Sequence, residues 1–571
     1  MKRSLIVILT LALCCDMAFC QTELSWPSGW LHYPFSGVGA GVSRDSLPPH
    51  VRCLCRGTHT LILGTTYPWF GHKEETEITL RIKYKTDEWI ETAYVVLAGM
   101  DEREDMAHSD TIRLPLSDDW RELTFRRTLR PAAFFLPTIE TRAKPNRPLW
   151  TGILSLADVQ LSENGRELPR DVPSYEAPFI ESEAVMRLDR MYSQPIMDTR
   201  ILAIGESAHG TETFENMAFN IMKESIMHHG CNLVMLELPL YDMLYVNRYV
   251  KNDGRFALSH IRDRLEYKQV SDSLLSFVNW VREYNSRHDN RVSFLGCDVA
   301  YNMMNYLSLF EFLFCLNDKR HEAADSLCVR VRGPKYKPEE IYSMLDSACM
   351  IPDFMTDEEA AMVRCCVMNL SASNDTIDRD LRLNHTTQLI LDLYGDTVKA
   401  TLWAHVGHVA YSNTCRSTGG TFFLKGVYPM GRHLKERYQD DYKCMALIGL
   451  EGEVKFFDRP EPRIMAMQPP KKSSLEWQLS YHSVVPIYMQ TNCLSPDAAY
   501  LMRHVGANYS PNQFAYVFPH SAFDGVVWVQ TVKPLGKTPN VPRDPDGYIL
   551  NKWIESYKKL PPFKGWKLRG E

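Results

Sequence analysis

The chain carries an ionisable residue at the end of each of four apolar segments that are typical of buried strands. Glu206 ends "RILAIGE", Glu237 lies at the end of "NLVMLEL", Asp298 ends "RVSFLGCD" and His405 ends "KATLWAH". In a parallel sheet the carboxyl ends of the strands share one edge, and ligands bind in the crevice beside that edge. We therefore expect these four side chains to come together in one functional site.

Two further histidines follow the strand ends. His209 lies in "GESAHG", and His408 follows His405 by three residues in "AHVGHVA". A neutral imidazole near pH 7 can take a proton from water, which is the task of a general base. We expect His209 to be that base, with Glu206 or Glu237 holding its other ring nitrogen. His405 and His408 are then placed to polarise a carbonyl or to stabilise an oxyanion.

Other chemistries fit parts of the same cluster. Ser207 occupies the nucleophile position of a serine-hydrolase elbow, but the G-x-S-x-G pattern fails at its last position, where His209 stands. We therefore expect Ser207 and Asp298 to contact the substrate without a covalent step. Two histidines and two carboxylates also suit zinc or manganese, although no HExxH motif occurs. No cofactor is expected, and a divalent metal stays open as the alternative.

The elements that must position these residues lie between residues 180 and 536. Strand-like segments alternate there with helical patterns, one of which runs up to Gly230. A long helical region covers about 302–396, and Thr356 with Glu359 fits a capping box inside it. Continuous apolar strands between helices predict an α/β fold with a mainly parallel, doubly wound sheet and a large helical region.

Residues 21–172 have a different pattern. Short segments such as "EITLRIKYKT" alternate apolar and polar residues and are separated by Asp, Gly and Pro clusters. This pattern predicts an all-β sandwich, jelly-roll-like, whose closing "LSLADVQLSENG" is similar to the last strand of carbohydrate-binding modules. A proline-punctuated linker over 167–179 follows, and residues 537–571 form a C-terminal extension.

Residues 1–20 have the pattern of an export signal. A short positive head precedes the apolar run "LIVILTLALCC", and the small residues Ala18 and Cys20 stand at −3 and −1 of the expected cleavage site. No later apolar run reaches the roughly 18–20 residues needed to span a bilayer. We therefore expect an exported protein, periplasmic or secreted, without a membrane span.

The composition narrows the class of partner. The 571 residues carry a net charge of −6 without any run of basic residues, which argues against nucleic acid as a partner.

A hydrophobic content of 45% supports sizeable cores, and the length predicts two or three domains. The cysteines outside the signal have no paired spacing, which predicts buried small hydrophobes and no disulfide framework. The sequence carries no signal for the oligomeric state.

The motifs around the cluster resemble the erythromycin esterase family. "GESAHG", Glu237 at 28 residues after His209, and "WAHVGHVA" follow one another in the family's order, and "WVREYN", "MGRHLKERY" and "AFDGVVWVQTVKPL" support the likeness over about residues 180–536. The resemblance implies ester hydrolysis by water activated at a histidine, without a covalent intermediate and without an obligatory metal. The residues that it implies are the base His209 and, around it, Glu206, Glu237, His405 and His408.

Some positions depart from the family pattern. Ala218 stands nine positions after His209, where a basic residue is usual, and Val406 replaces the asparagine of A-H-N-G-H. "RDLRLNHT" (379–386) keeps only part of the R-D-x-x-M-A-x-N helix. We expect these changes to lie near the substrate, and they favour an ester other than a macrolide.

The sequence therefore predicts an exported hydrolase of a carboxylic ester or lactone, acting on a small-molecule or glycan ester. The alternatives are a metal-dependent hydrolase that uses the same residues and a non-catalytic protein that binds a ligand or a glycan.

Overall fold

The computed structural model describes residues 30–32, 39–43, 50–55, 60–65, 69–72, 74–101, 106–144, 152–167, 177–254, 256–265, 271–298, 356–371, 379–411, 428–456, 462–472, 474–496, 498–507 and 513–536. The predicted export signal, the predicted helices between 302 and 355, and the C-terminal extension lie outside these residues. Among the helices described, none combines the length and the hydropathy that a membrane crossing requires.

The N-terminal part forms strands that pair in two antiparallel sheets. The strands are β1 (Trp30–His32), β2 (Gly39–Ser43), β3 (His50–Cys55), β4 (Thr60–Thr65), β5 (Trp69–His72), β6 (Thr76–Thr86), β7 (Ile90–Met100), β8 (Met106–Arg113), β9 (Arg121–Leu129), β10 (Ala132–Ala143), β11 (Gly152–Glu163) and β12 (Arg166–Glu167). One sheet has the order β1-β4-β10-β7-β8 with β5 beside β10, and the other has the order β2-β3-β11-β6-β9 with β12 beside β11.

The two N-terminal sheets share one hydrophobic core. On β6, Ile78, Leu80 and Ile82 are buried while the residues between them are less so, as the alternation in the sequence predicts. Val95 of β7 and Ile139 of β10, which belong to the other sheet, pack into the same core. The two sheets therefore face each other, as in a sandwich.

The second part mixes helices and strands. Its strands are β13 (Val185–Arg187), β14 (Ile201–Glu206), β15 (Leu233–Pro239), β16 (Ser293–Asp298), β17 (Ala400–His405), β18 (Tyr442–Phe456), β19 (Arg463–Ala466), β20 (Ile487–Gln490), β21 (Tyr500–Arg503), β22 (Phe514–Val517) and β23 (Gly525–Val532). Its α-helices are α1 (Leu188–Met191), α2 (Glu212–His228), α3 (Leu240–Val250), α4 (Leu258–Leu265), α5 (Asp272–Arg287), α6 (Asp357–Ser371), α7 (Arg379–Tyr394), α8 (Val406–Val409), α9 (Met430–Tyr438), α10 (Leu475–Leu479) and α11 (Pro519–Ala522). Short 3₁₀ helices cover Ser182–Ala184, Pro195–Asp198, Gln439–Asp441 and Thr491–Cys493.

One large sheet organises this second part. Its order is β13-β20-β23-β18-β14-β17-β15-β16, with β19 beside β18. The pairs from β23 through β18, β14, β17 and β15 to β16 are parallel, whereas β13, β19 and β20 pair antiparallel. The predicted mixed α/β fold with a mainly parallel sheet is confirmed. β21 and β22 form a separate antiparallel pair.

Two local signals in the sequence are present in the structure. The helical pattern after "GESAHG" is α2, and Gly230 follows it with a φ of 74°. The capping box before α6 is present, because Glu359 N–H donates to the Thr356 hydroxyl (3.2 Å) and Thr356 N–H donates to the Glu359 carboxylate (3.0 Å). The free cysteines include Cys231 and Cys297, which are buried as expected.

The end of β14 packs closely against the helix that follows β17. A Cβ at Gly205 would lie 2.9 Å from the Cα of Val406 and 2.8 Å from a methyl group of Val409. Only glycine therefore allows α8 to approach the strand end. This contact brings the "GESAHG" loop and the "AHVGH" segment together at the carboxyl edge of the sheet.

Candidate active site

The first strand end forms a carboxylate–histidine pair. Glu206 is the last residue of β14 and lies beside His405 in the register of β14 and β17. The chain turns after Glu206, with Gly210 at a φ of 70°, and returns the His209 ring to the strand end. His209 Nδ1 lies 2.7 Å from Glu206 Oε1. Since the carboxylate accepts a hydrogen bond from Nδ1–H, Nε2 carries the lone pair that a general base needs.

The protonation of His209 is set by opposing influences. Burial lowers the pKa of its imidazole, but the hydrogen bond and the negative charge of Glu206 outweigh burial and raise the pKa above its ordinary value. The His209 side chain is 26% exposed whereas that of Glu206 is 7% exposed, so the base is the accessible member of the pair. The arrangement orients the imidazole and leaves it open to a reactant.

Glu237 supports the neighbouring strand end. Its Oε2 accepts a hydrogen bond from the backbone N–H of His405 (2.8 Å), and its Oε1 accepts one from Arg379 Nη2 (2.7 Å). Burial raises the pKa of Glu237, but the charges of His408, Arg379 and His209 reverse this and hold the pKa well below its ordinary value. Glu237 is thus an anion, and it makes no hydrogen bond to the His209 ring among the residues that the structure covers.

Asp298 shares the same arginine. The Arg379 guanidinium donates from Nη2 to Asp298 Oδ2 (2.8 Å) and from Nε to Asp298 Oδ1 (3.4 Å). Such a forked contact fixes both the distance and the plane of the carboxylate. Arg379 is the first residue of α7, so this helix connects the ends of β15 and β16.

His408 completes this charged group of residues. Its Nδ1 lies 2.9 Å from Asp380 Oδ1, and its Nε2 lies 3.0 Å from Arg379 Nη1. Arginine can only donate, so in the neutral ring Nε2 accepts and Nδ1–H donates to Asp380. Glu237 Oε1 also lies 3.4 Å from Nε2. Both ring nitrogens of His408 are therefore engaged. Burial lowers the pKa of His408, but the charges of Asp380 and Glu237 outweigh burial and raise it. We call Glu237, Asp298, Arg379, Asp380 and His408 the Arg379 network.

His405 differs from His408. It is the N-cap residue of α8, and its Nδ1 accepts a hydrogen bond from the Gly407 N–H (3.1 Å). Its proton is therefore on Nε2, which is buried and has no hydrogen-bond partner among the described residues. Burial, followed by the neighbouring histidines, lowers the pKa of His405 well below its ordinary value. The ring centroid lies 4.7 Å from that of His209, so a neutral N–H donor stands beside the base.

Ser207 is held by its backbone. Its N–H donates to the Leu447 carbonyl (3.0 Å), and its carbonyl accepts from the Val505 N–H (2.8 Å). The side chain is fully buried, and no hydrogen bond joins its hydroxyl to His209 within the described part of the chain. This geometry lacks the nucleophile–base contact of a serine hydrolase.

The described residues include no group of three or more His, Cys, Asp and Glu side chains arranged to hold a metal ion. Glu237 and His408 direct their polar atoms to Arg379 and to Asp380, and His405 Nδ1 accepts from a backbone amide.

Sequence reasoning did not assign Arg379, Asp380 or Glu215 to the site. The first two stand in "RDLRLNHT", which the family comparison marks only as a weakened motif. Glu215 lies on the first turn of α2, where burial, together with the charge of Glu206, raises its pKa to about 8. By contrast, Ala218 and Val406 are fully buried in the hydrophobic core, so neither lines an open surface.

Comparisons with known proteins identify the family of the chain. The family model for erythromycin esterase matches residues 226–336 and 354–532, which together make just over half of the chain. The match begins after the "GESAHG" loop and contains the Arg379 network and His405. The erythromycin esterase type II of Escherichia coli is 25% identical over 118 residues, or 21% of this chain and 28% of that protein. This chain therefore spans less than a third of the length of that curated relative.

Two solved structures are also similar to this chain. A succinoglycan biosynthesis protein is 16% identical, with 63% of this chain and 96% of that chain covered and a TM-score of 0.49. An erythromycin esterase mutant in its open conformation is 15% identical, with coverages of 62% and 96% and a TM-score of 0.40. Because the family model covers more than half of the sequence, as the motifs predict, this chain belongs to the erythromycin esterase family.

Proposed function

We propose that this protein hydrolyses a carboxylic ester or lactone by direct attack of water that His209 activates. One observation carries the proposal: the Glu206–His209 pair holds an accessible base beside the neutral His405, whose Nε2–H has no hydrogen-bond partner among the described residues. Membership in the erythromycin esterase family supports the same class of reaction.

The reaction proceeds in two steps. His209 Nε2 takes a proton from water, and the hydroxide adds to the ester carbonyl carbon to form a tetrahedral oxyanion. His405 Nε2–H donates to the oxygen on which the negative charge develops. The C–O bond to the leaving alkoxide then breaks, and His209 returns its proton to that oxygen. The products are an acid and an alcohol, and no bond to the protein forms.

The Arg379 network positions this machinery. Glu237 accepts from the His405 backbone N–H, so the strand end that carries the donor is fixed by a buried anion. Arg379 joins Glu237 to Asp298, and His408 with Asp380 fixes the guanidinium from the other side. We assign His408 to this support because neither of its ring nitrogens is free to meet the substrate. The substrate contact predicted for Asp298 stays a prediction.

We propose that hydrolysis needs no resident metal. Glu237 and Asp298 already hydrogen-bond to Arg379, and His408 hydrogen-bonds to Arg379 and Asp380. Glu206 is paired with His209. The test is elemental analysis of purified protein with activity measured before and after EDTA treatment. Full activity in metal-free protein agrees with the proposal, and activity that returns only with added zinc or manganese contradicts it.

The substrate class and the compartment stay predictions. We propose an exported enzyme acting on a small-molecule or glycan ester. N-terminal sequencing of protein from the periplasm or medium tests cleavage after Cys20. A glycan array with the N-terminal sandwich present and deleted tests carbohydrate binding.

The experiment that tests the central function is a hydrolysis screen over aryl, acyl, glycan and macrolactone esters. His209→Ala is expected to reduce kcat by about 10²–10⁴-fold, since general base catalysis contributes about that much. His228→Ala, an exposed histidine at the end of α2, is the control and is expected to keep full activity. Unchanged turnover in folded His209→Ala contradicts the assignment, and binding without turnover in the wild type supports a binding protein instead.

A further inference from the structure

A histidine that the reaction above does not use, His504, borders the same site. It follows β21, and its backbone N–H donates to the Gln513 carbonyl (2.6 Å). The next residue, Val505, accepts a hydrogen bond from the His209 N–H (2.9 Å) and donates one to the Ser207 carbonyl (2.8 Å). His504 is therefore fixed beside the loop that carries the base.

The His504 ring is buried without a hydrogen-bond partner. Its exposed fraction is 5%, and neither ring nitrogen has a partner among the residues that the structure describes. Burial lowers its pKa to about 4, so the ring is neutral near pH 7 and presents one N–H donor. A buried polar group without a partner destabilises a fold, so each such group calls for an explanation.

The orientation of His504 relative to His405 suits a shared acceptor. The two ring centroids lie 6.1 Å apart with the planes tilted by 60°. Two N–H···O bonds of about 3 Å each to one oxygen join nitrogens up to about 6 Å apart, which is comparable with the 6.1 Å between the two ring centroids. A carbonyl oxygen between the two rings is therefore within reach of a donor on each of them.

The geometry points to His504 as the second hydrogen-bond donor to the ester carbonyl oxygen. With His405 it forms what we call the neutral wall. This inference rests on the proposed function, because the oxyanion arises only in that reaction. The His504 N–H donates as hydroxide adds to the carbonyl carbon, and it keeps its proton when the bond to the alkoxide breaks. His408 does not supply this donor, since Arg379 and Asp380 occupy its ring nitrogens.

The test compares three substitutions at position 504 on the best ester of the panel. His504→Leu keeps most of the volume and removes the N–H. It is expected to lower kcat by about 10²–10³-fold, with KM little changed, because the contact is made mainly in the transition state. Its Tm is expected to equal or exceed that of the wild type, since no unpaired polar group remains. His504→Asn and His504→Gln each place an amide N–H near one ring nitrogen, and one of them is expected to recover part of kcat.

The matched control is His482→Leu. His482 also has a buried Nε2 without a hydrogen-bond partner in the described part of the chain, but it packs against Phe179 and Ser182. It is expected to keep the wild-type kcat. A wild-type kcat in His504→Leu overturns the inference. It is also overturned if all three variants lose kcat to the same extent and all three have a lowered Tm. If His209→Ala abolishes hydrolysis and His504→Leu does not, only this inference fails. If the wild type hydrolyses no ester, the proposed function fails with it.

Discussion

The Arg379 network and the neutral wall meet at one sheet edge but differ in how their polar atoms are satisfied. In the network, Arg379 donates to Glu237 and Asp298, and both ring nitrogens of His408 are engaged. In the wall, Nε2 of His405 and both ring nitrogens of His504 have no partner among the described residues. Satisfied groups hold a geometry, whereas an unpaired donor gains most when charge develops beside it. We propose from this difference that the network positions the reacting groups and that the wall stabilises the transition state.

The largest effect on kcat that separates the neutral wall from the Arg379 network is expected at His405. His405→Asn keeps an oxygen that can cap α8 and withdraws the Nε2–H. We expect kcat to fall by about 10²–10³-fold while the Tm changes little. Steady-state kinetics and thermal unfolding check both. The control is Thr356→Ala, which removes the cap of α6 away from the site. It is expected to cost about 1 kcal/mol of stability without loss of kcat. A large loss of stability in His405→Asn with an unchanged kcat would place His405 among the positioning residues.

A substitution in the Arg379 network is expected to lower the stability more than it lowers kcat. Arg379→Gln leaves two carboxylates without their cation. Breaking a buried pair costs about 3–5 kcal/mol, and the 43% exposure of the Arg379 side chain reduces this to about 1–3 kcal/mol. Arg437→Gln is a close control, since Arg437 is 42% exposed and lies 2.7 Å from Asp392, which is itself 54% exposed. That surface pair is expected to contribute at most about 1 kcal/mol. Equal losses in urea unfolding would contradict a structural role for the network.

The last prediction concerns the pH dependence of stability at Glu215, beside the base loop. Its pKa of about 8 lies above its ordinary value, so between pH 4.5 and pH 8 the folded protein keeps a proton that the unfolded chain releases. Stability therefore falls as the pH rises through this window. Glu215→Gln removes the dependence, so the variant is expected to match the wild type near pH 4.5 and to gain up to about 5 kcal/mol above pH 8, because each pKa unit corresponds to about 1.4 kcal/mol. Glu212→Gln, on the same helical turn, is the control. Parallel Tm curves for wild type and Glu215→Gln would contradict the raised pKa.

The sequence predicted the sheet and the strand-end residues because both depend on local patterns. Apolar runs mark β14 and β17, and parallel pairing then places Glu206 beside His405 without further information. The hydrogen-bond partners depend on distant segments and were not predictable. Arg379 reaches Glu237 across 142 positions, and no motif marks such a contact.

His504 shows the same limit. It follows the short strand β21, outside the alternation of strands and helices that the sequence pattern shows, and it meets His405 only through tertiary packing. A lone histidine before "VGANY" carries no local signal. By contrast, the spacing of three between His405 and His408 was visible in the sequence, but it does not reveal that the two rings have different tasks.

The pH dependence of kcat/KM in the wild type and in Glu206→Gln tests the account most directly. Activity requires His209 without its proton, so kcat/KM is expected to rise with pH through a midpoint above 6.5, because Glu206 raises the pKa of the imidazole. In Glu206→Gln the side-chain oxygen still accepts from Nδ1–H, but the negative charge is gone and burial remains, so the midpoint is expected to move to lower pH. A midpoint that stays in place, or a profile without a rise, would show that His209 paired with Glu206 is not the base.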